Sequence, residues 1–221
     1  METPTAYLDL YDYRIRVSGL YRDRGVSLIR GENSASVAAR FRTERDYLFA
    51  DHPQSALSAE QKGVFRTLRY FPYDPAACVE ALVDVDVAPQ RLEVQTSGEG
   101  VMPMNRVATV RFTLAGMPLT LSLYWIDVYG GGLFLPFHDL TAPDETYGGG
   151  RYLFDTIKGS DYLMLPEEPW GRRILLDFNY AYNPSCAYDY HWACPLAPAE
   201  NHLDLPIRAG EKVFKPAGNT P

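Results

Sequence analysis

Apolar and polar residues alternate most sharply between Val110 and Trp125. Val110, Phe112 and Leu114 alternate with Thr109, Arg111 and Thr113, and Leu119, Leu121, Leu123 and Trp125 alternate with Thr120, Ser122 and Tyr124. A period of two puts each set on one face of an extended chain, so the pattern predicts two half-buried strands. Ala115-Gly116-Met117-Pro118 supplies the turn between them, with Gly116 free to take positive φ and Pro118 placed to open the returning strand. Leu133-Phe134-Leu135, beyond Gly130-Gly131-Gly132, gives a third antiparallel neighbour. Upstream, Ala81, Val83, Val85 and Val87 against Glu80, Asp84 and Asp86 predict another strand, and further strands are expected over 151–156, 173–178 and 203–208. Short strands separated by segments rich in Gly, Pro, Asn and Tyr predict a mainly β fold, an antiparallel meander forming a barrel or split barrel.

The pattern differs ahead of these strands. Residues 7–28 mix aromatic, β-branched and charged side chains with Gly19 and Gly25 as breaks, which predicts one or two short strands. From Ser36, Val37, Phe41, Leu48 and Phe49 recur at helical spacing, and the run stops near His52-Pro53 because the residue before a proline avoids the helical region. Ser58-Ala59-Glu60-Gln61 has the form of a capping box, so a short helix is expected from there to about Phe65. One or two short N-terminal helices then cap an open end of the sheet or cover an edge that is otherwise free to pair. A chain of 221 residues, 46% hydrophobic, supports one sizeable core. The expected organisation is an N-terminal segment (1–35) packed on the main domain, a single β-rich domain (36–214) and a flexible tail (215–221).

Charge and motif content narrow the functional classes. A net charge of −7 works against a nucleic-acid partner, which calls for clustered Lys and Arg. The first residues lack the basic and apolar regions of a secretory signal, and no run approaches the ~20 apolar residues that cross a bilayer. A soluble, cytoplasmic protein without a membrane partner is the expectation, with a homodimer left open. Three cysteines, Cys78, Cys186 and Cys194, make an odd count that disfavours a disulfide framework. There is no G-x-S-x-G, P-loop, G-x-G-x-x-G or H-E-x-x-H, and the four histidines lack metal-site spacing, so neither a cofactor nor a metal is expected.

Two polar, aromatic segments carry the candidate chemistry. The first runs from Phe137-His138-Asp139 to Glu145-Thr146-Tyr147-Gly148-Gly149-Gly150-Arg151-Tyr152, with Glu145 suited to proton transfer and Arg151 to clamping a carboxylate or phosphate. A loop stabilised by its own ion pair explains the same residues. The second segment runs from Asp177-Phe178-Asn179 through Tyr182-Asn183-Pro184-Ser185-Cys186 to Glu200-Asn201, and its amides each offer a donor and an acceptor. Cys186 paired with His191 could act as a nucleophile, and Cys186, His191 and Cys194 could bind zinc, whereas inert cysteines packed as small hydrophobes account for the spacing equally well.

Glu145-Thr146-Tyr147-Gly148-Gly149-Gly150-Arg151-Tyr152, Asp177-Phe178-Asn179, Ala181-Tyr182-Asn183-Pro184, Cys186-Ala187-Tyr188, Cys194-Pro195-Leu196, Glu200-Asn201 and Ala209-Gly210-Glu211-Lys212, in this order, resemble the uncharacterised bacterial family known as domain of unknown function 1684. Arg45-Asp46, Leu57-Ser58 and Leu68-Arg69-Tyr70-Phe71-Pro72 extend the resemblance over most of the chain after about residue 36. It implies a largely β fold and a shared site, with no activity attached. The matching positions are the site candidates: Glu145, Arg151, Tyr188 and Cys186 as catalytic groups, and Asp139, Tyr147, Asn179, Tyr182, Asn183, Cys194, Glu200 and Asn201 as substrate-binding groups. The expected function is binding of a small organic molecule with cofactor-independent acid–base chemistry of cyclase, isomerase, lyase or hydrolase type. The alternatives are a non-catalytic ligand-binding protein, a split barrel holding a flavin with Arg151 on its phosphate, or a set of structural staples.

Overall fold

The computed structural model describes residues 4–161, 163–164 and 173–215. Its architecture turns on one long strand, β3 (Val101–Leu114), which pairs with β4 (Met117–Ile126) along most of its length. A bulge at Val107 interrupts that pairing, so Arg106 faces Tyr124 while Ala108 faces Leu123. The extra residue reverses which side chains of β3 point to which face. Ala108, Val110, Phe112 and Leu114 therefore enter the main core, whereas Met104 enters a second core with Val94, Tyr124, Ile126, Phe134 and Tyr152. Before the bulge β3 pairs with β2 (Gln90–Gln95), and after it with β1 (Cys78–Asp84).

The sheet grows outward from this pair as a curled half-barrel. On one side lie β5 (Gly132–Asp139) and β6 (Arg151–Asp155); on the other, beyond β1, lie β8 (Arg173–Asp177) and β7 (Leu163–Met164). A short strand, β9 (His202–Leu203), runs parallel to the end of β5, and the other pairings are antiparallel. The expected strand over 203–208 is reduced to this pair of residues. Pro206 lacks a ladder N–H, and the carbonyls of Ile207 and Ala209 accept from the Arg151 side chain instead of from a strand. The tail residues 216–221 lie outside the described residues.

Three helices precede the sheet. The strands expected over 7–28 are in fact one helix, α1 (Pro4–Ile29). Pro4 suits the first helical position, and Tyr13, Val17, Tyr21 and Arg24 recur at three- and four-residue intervals on one face. Neither glycine breaks the helix; a Cβ on Gly25 would only reach contact distance, 3.5 Å, from Leu163. α2 (Ser34–Asp51) is capped by Asn33, whose side chain accepts from Ser36 N–H at 3.0 Å, and it buries Val37, Ala38, Phe41, Arg45, Leu48 and Phe49. α3 (Ala59–Val64) starts with the expected capping box, in which Gln61 N–H donates to Ser58 Oγ at 3.2 Å and Ser58 N–H to Gln61 Oε1 at 2.7 Å. Phe41 joins the layers, packing edge-on against Tyr21 of α1 and against Tyr180 after β8. Among the described residues no helix is long and apolar enough to cross a membrane.

The β3–β4 turn is strained at one position. Ala115 and Gly116 take φ of 50° and 78°, the two positive values of a type I′ turn, and alanine pays a steric cost there that asparagine largely avoids. Ala115→Asn is expected to stabilise the fold by about 0.5–1 kcal/mol in urea denaturation; an unchanged or lowered midpoint would count against the turn as described.

Candidate functional site

Most of the polar residues after β5 and β8 are engaged by the protein itself. Arg151, at the start of β6, is fully buried; its Nη2 donates to Asp139 Oδ2 at 2.7 Å and to the Ile207 carbonyl at 2.9 Å. Its Nη1 donates to the carbonyls of Ala209 and Glu211 at 2.5 and 3.3 Å. Burial lowers the Arg151 pKa, and the Asp139 carboxylate opposes that shift. The other oxygen of Asp139 accepts from Thr141 N–H, Thr141 Oγ1 and Ile207 N–H. Both terminal nitrogens of Arg151 are thus taken up by protein oxygens, while its Nε is buried without a partner.

The amides divide in the same way. Asn201 is fully buried and ties β4 to β5, accepting from Ser122 N–H at 2.7 Å and donating to the carbonyls of Ser122 and Pro136. Asn179 exchanges hydrogen bonds with the backbone of Asp74 and donates to Asp177. Asn183 differs. Its Nδ2 donates to the Lys212 carbonyl at 2.8 Å, which assigns the amide orientation, and its Oδ1 is then left buried without a partner.

Asn183 lines a cavity of about 60 Å³ between the helices and the loops that follow β6 and β8. Tyr13, Val17, Leu20 and Tyr21 of α1 and Phe41, Arg45, Leu48 and Phe49 of α2 form its helical wall. Lys158, Ser160, Tyr182, Ser185 and Tyr188 complete the lining. Behind it Arg45 meets the buried carboxylate of Glu211 at 2.7 Å, and Glu211 also accepts from Asn183 N–H at 3.2 Å and from the Tyr188 hydroxyl. Burial works against the Arg45 charge, yet the Glu211 carboxylate prevails and holds the guanidinium protonated well above its ordinary range. Burial and the Glu211 charge likewise raise the Tyr188 hydroxyl, which stays a neutral donor. A larger groove, about 630 Å³, opens between α1 and α2, but its acidic Asp12 is already bound to Arg16 and His52.

A second cluster lies on the same polar loop. Cys186 N–H donates to Cys194 Sγ at 3.4 Å, and the Tyr147 hydroxyl is 3.5 Å from Cys186 Sγ. Cys194 is buried and Cys186 is half-buried. A hydrogen bond from Cys194, aided by Ser97, Tyr147 and the charge of Lys158, outweighs burial and lowers the Cys186 thiol to about 6. The bond to Cys186, together with burial, raises the Cys194 thiol.

The structure therefore separates the residues singled out in the sequence. Tyr182, Asn183 and Tyr188 share the cavity, and Cys186, Cys194 and Tyr147 share the thiol cluster. Asp139, Arg151, Asn179 and Asn201 sit in separate buried hydrogen-bond sets, and Glu200 accepts from Tyr124 at 2.9 Å. Glu145 is at the surface, paired with Arg208 at 2.9 Å, and does not line the cavity. His191 pairs with Asp189 and does not join the two thiols; among the described residues no group of three or more His, Cys, Asp and Glu could hold a metal ion. Arg45, Glu211 and the α1 wall belong to the site although none is among the candidates drawn from the sequence. The helical spacing of Tyr13, Val17 and Tyr21 was the available signal.

The model of the family DUF1684, described as a protein of unknown function, matches residues 63–212. That span contains the sheet and the polar wall of the cavity, whereas α1 and α2 precede it. Among solved structures, the solution NMR structure of an uncharacterized protein of Haloarcula marismortui shares 35% sequence identity. The match covers 80% of this chain and 92% of that one, with a TM-score of 0.57. No curated protein matches the chain.

Removing one member of a buried ion pair leaves the other charge uncompensated, whereas an exposed pair contributes little. Arg151→Ala is accordingly expected to destabilise the fold by about 3–5 kcal/mol and Glu145→Gln by no more than about 1 kcal/mol. Chemical denaturation of both variants checks this; equal effects would contradict the division drawn here.

Proposed function

The chain belongs to the DUF1684 family, and we propose that it binds a small organic molecule in the cavity between α1, α2 and the loops after β6 and β8. The observation that carries this reading is the buried, unpartnered Oδ1 of Asn183 on the polar wall of this cavity, opposite the apolar side chains of α1 and α2. A buried acceptor without a partner costs about 1–3 kcal/mol, which a ligand donor would recover. The ligand's inserted group is therefore a hydroxyl, amide or amine that donates to Asn183. The aromatic rings of Tyr13, Tyr21, Phe41 and Phe49 favour an apolar body behind that group.

Size limits what enters. A volume of about 60 Å³ falls well short of the roughly 300–1,000 Å³ of pockets that enclose a whole ligand, so the cavity accepts one end of a molecule and not a whole cofactor. Acid–base turnover through Glu145 gains no support, because that carboxylate is bound to Arg208 away from the lining. Tyr188, held neutral beside Glu211, orients and does not remove protons. Binding without chemistry is the function that these groups support best.

Benzyl alcohol, benzamide and benzylamine are suitable probes, each an aromatic body with one donor group. Titration followed by amide NMR is expected to shift the backbone signals of Asn183, Ser185 and Tyr188. Leu20→Trp, which fills the cavity from α1, is expected to abolish those shifts in a folded protein, and Asn183→Leu to weaken binding at least about tenfold, or roughly 1.4 kcal/mol. Shifts that survive Leu20→Trp would place binding elsewhere and refute the proposal.

A further inference from the structure

The thiol cluster stands outside the cavity, and none of its members is needed for the binding proposed above. Cys186 sits in a short 3-10 turn, Ser185–Ala187, and the chain returns through Trp192 to Cys194. The return is held in place from outside the loop. Ser97 N–H donates to the Cys194 carbonyl at 2.8 Å, Cys194 N–H donates to Ser97 Oγ at 3.1 Å, and Trp192 Nε1 donates to the Ala56 carbonyl at 3.2 Å. These bonds keep the Cys194 sulfur against the backbone N–H of Cys186, 3.4 Å from that nitrogen.

We propose that Cys186 and Cys194 form a reversible dithiol site, in which half-buried Cys186 attacks small disulfides and buried Cys194 resolves the adduct. In the first step the Cys186 thiolate attacks one sulfur of a disulfide RSSR, forming Cys186–S–S–R and releasing RS⁻. In the second, Cys194 gives up its proton and attacks the Cys186 sulfur, closing the Cys186–Cys194 disulfide and expelling the second RS⁻. The protein loses two electrons and two protons, and RSSR is reduced to two RSH.

The surroundings divide the two roles. The hydrogen bond from Cys194, the Tyr147 hydroxyl 3.5 Å away and the nearby charge of Lys158 favour the thiolate at Cys186, the less buried of the two cysteines. Cys194 stays protonated and shielded until the adduct turns the Cys186 sulfur into an electrophile. Cys78 serves as an internal control, because burial and the neighbouring Asp177 push its thiol up to about 12.

Reduced protein incubated with glutathione disulfide, then alkylated and mapped by mass spectrometry, tests this directly. The expected product of the unmodified chain has lost two hydrogens, carries no glutathione, links the Cys186 and Cys194 peptides and retains one alkylatable thiol, Cys78. Dithiothreitol should restore all three thiols. Cys194→Ser should trap one glutathione on Cys186, and Cys186→Ser should give neither product. The proposal is overturned if the unmodified chain stays fully reduced, keeps glutathione on Cys186, links two chains through that residue, or reacts first at Cys78. The mapping on the unmodified chain decides the matter even if a variant fails to fold.

Discussion

Glu211 brings α2, the polar loop and the C-terminal strap to one buried carboxylate. It is 1% exposed and takes hydrogen bonds from Arg45 at 2.7 Å, Asn183 N–H at 3.2 Å and the Tyr188 hydroxyl. Stripping water from a carboxylate and a guanidinium costs several kcal/mol for each ion, and the pair is tolerable only because these donors occupy the carboxylate. The backbone around Glu211 is just as engaged. Its N–H donates to the Ala181 carbonyl, Lys212 N–H to Arg69 and Val213 N–H to Glu145, so a segment without regular structure is fixed as firmly as a strand. The loop that this segment holds carries Asn183 and Tyr188 into the cavity wall opposite α1 and α2.

This packing sorts polar residues by whether their bonding is complete. Asp139, Asn179 and Asn201 have completed their hydrogen bonding with loops and neighbouring strands and hold the scaffold together. Asn183 and Cys186 have not. The first retains a buried acceptor at an aromatic surface, and the second retains a half-buried sulfur supplied with donors. Chemistry in this molecule is to be sought where bonding is incomplete.

The same distinction explains what could be read in the sequence. The β3–β4 hairpin was legible because alternation over Val110 to Leu123 is set by a period of two, and the cap at Ser58 because its geometry is local. α1 was misread, since Gly19, Gly25 and its aromatic and β-branched residues suit short strands by local preference while tertiary packing on α2 and Tyr180 selects a helix. The bulge at Val107 left no pattern, yet it places Met104 and Ala108 in different cores. Polar residues in two loops identified the region of the site, but the pairing of Arg45 with Glu211 spans the chain and has no local signature. The family match covers Glu211 and begins after Arg45, so it does not give their partnership.

A double-mutant cycle on Arg45 and Glu211 tests the central role of this pair most directly. Arg45→Met and Glu211→Met are each predicted to cost about 3–5 kcal/mol in reversible unfolding, because each strands the other's charge in the interior. The double variant should recover at least about 2 kcal/mol of the summed loss. Losses that add to within about 0.5 kcal/mol would show that the two residues act independently and would contradict the account.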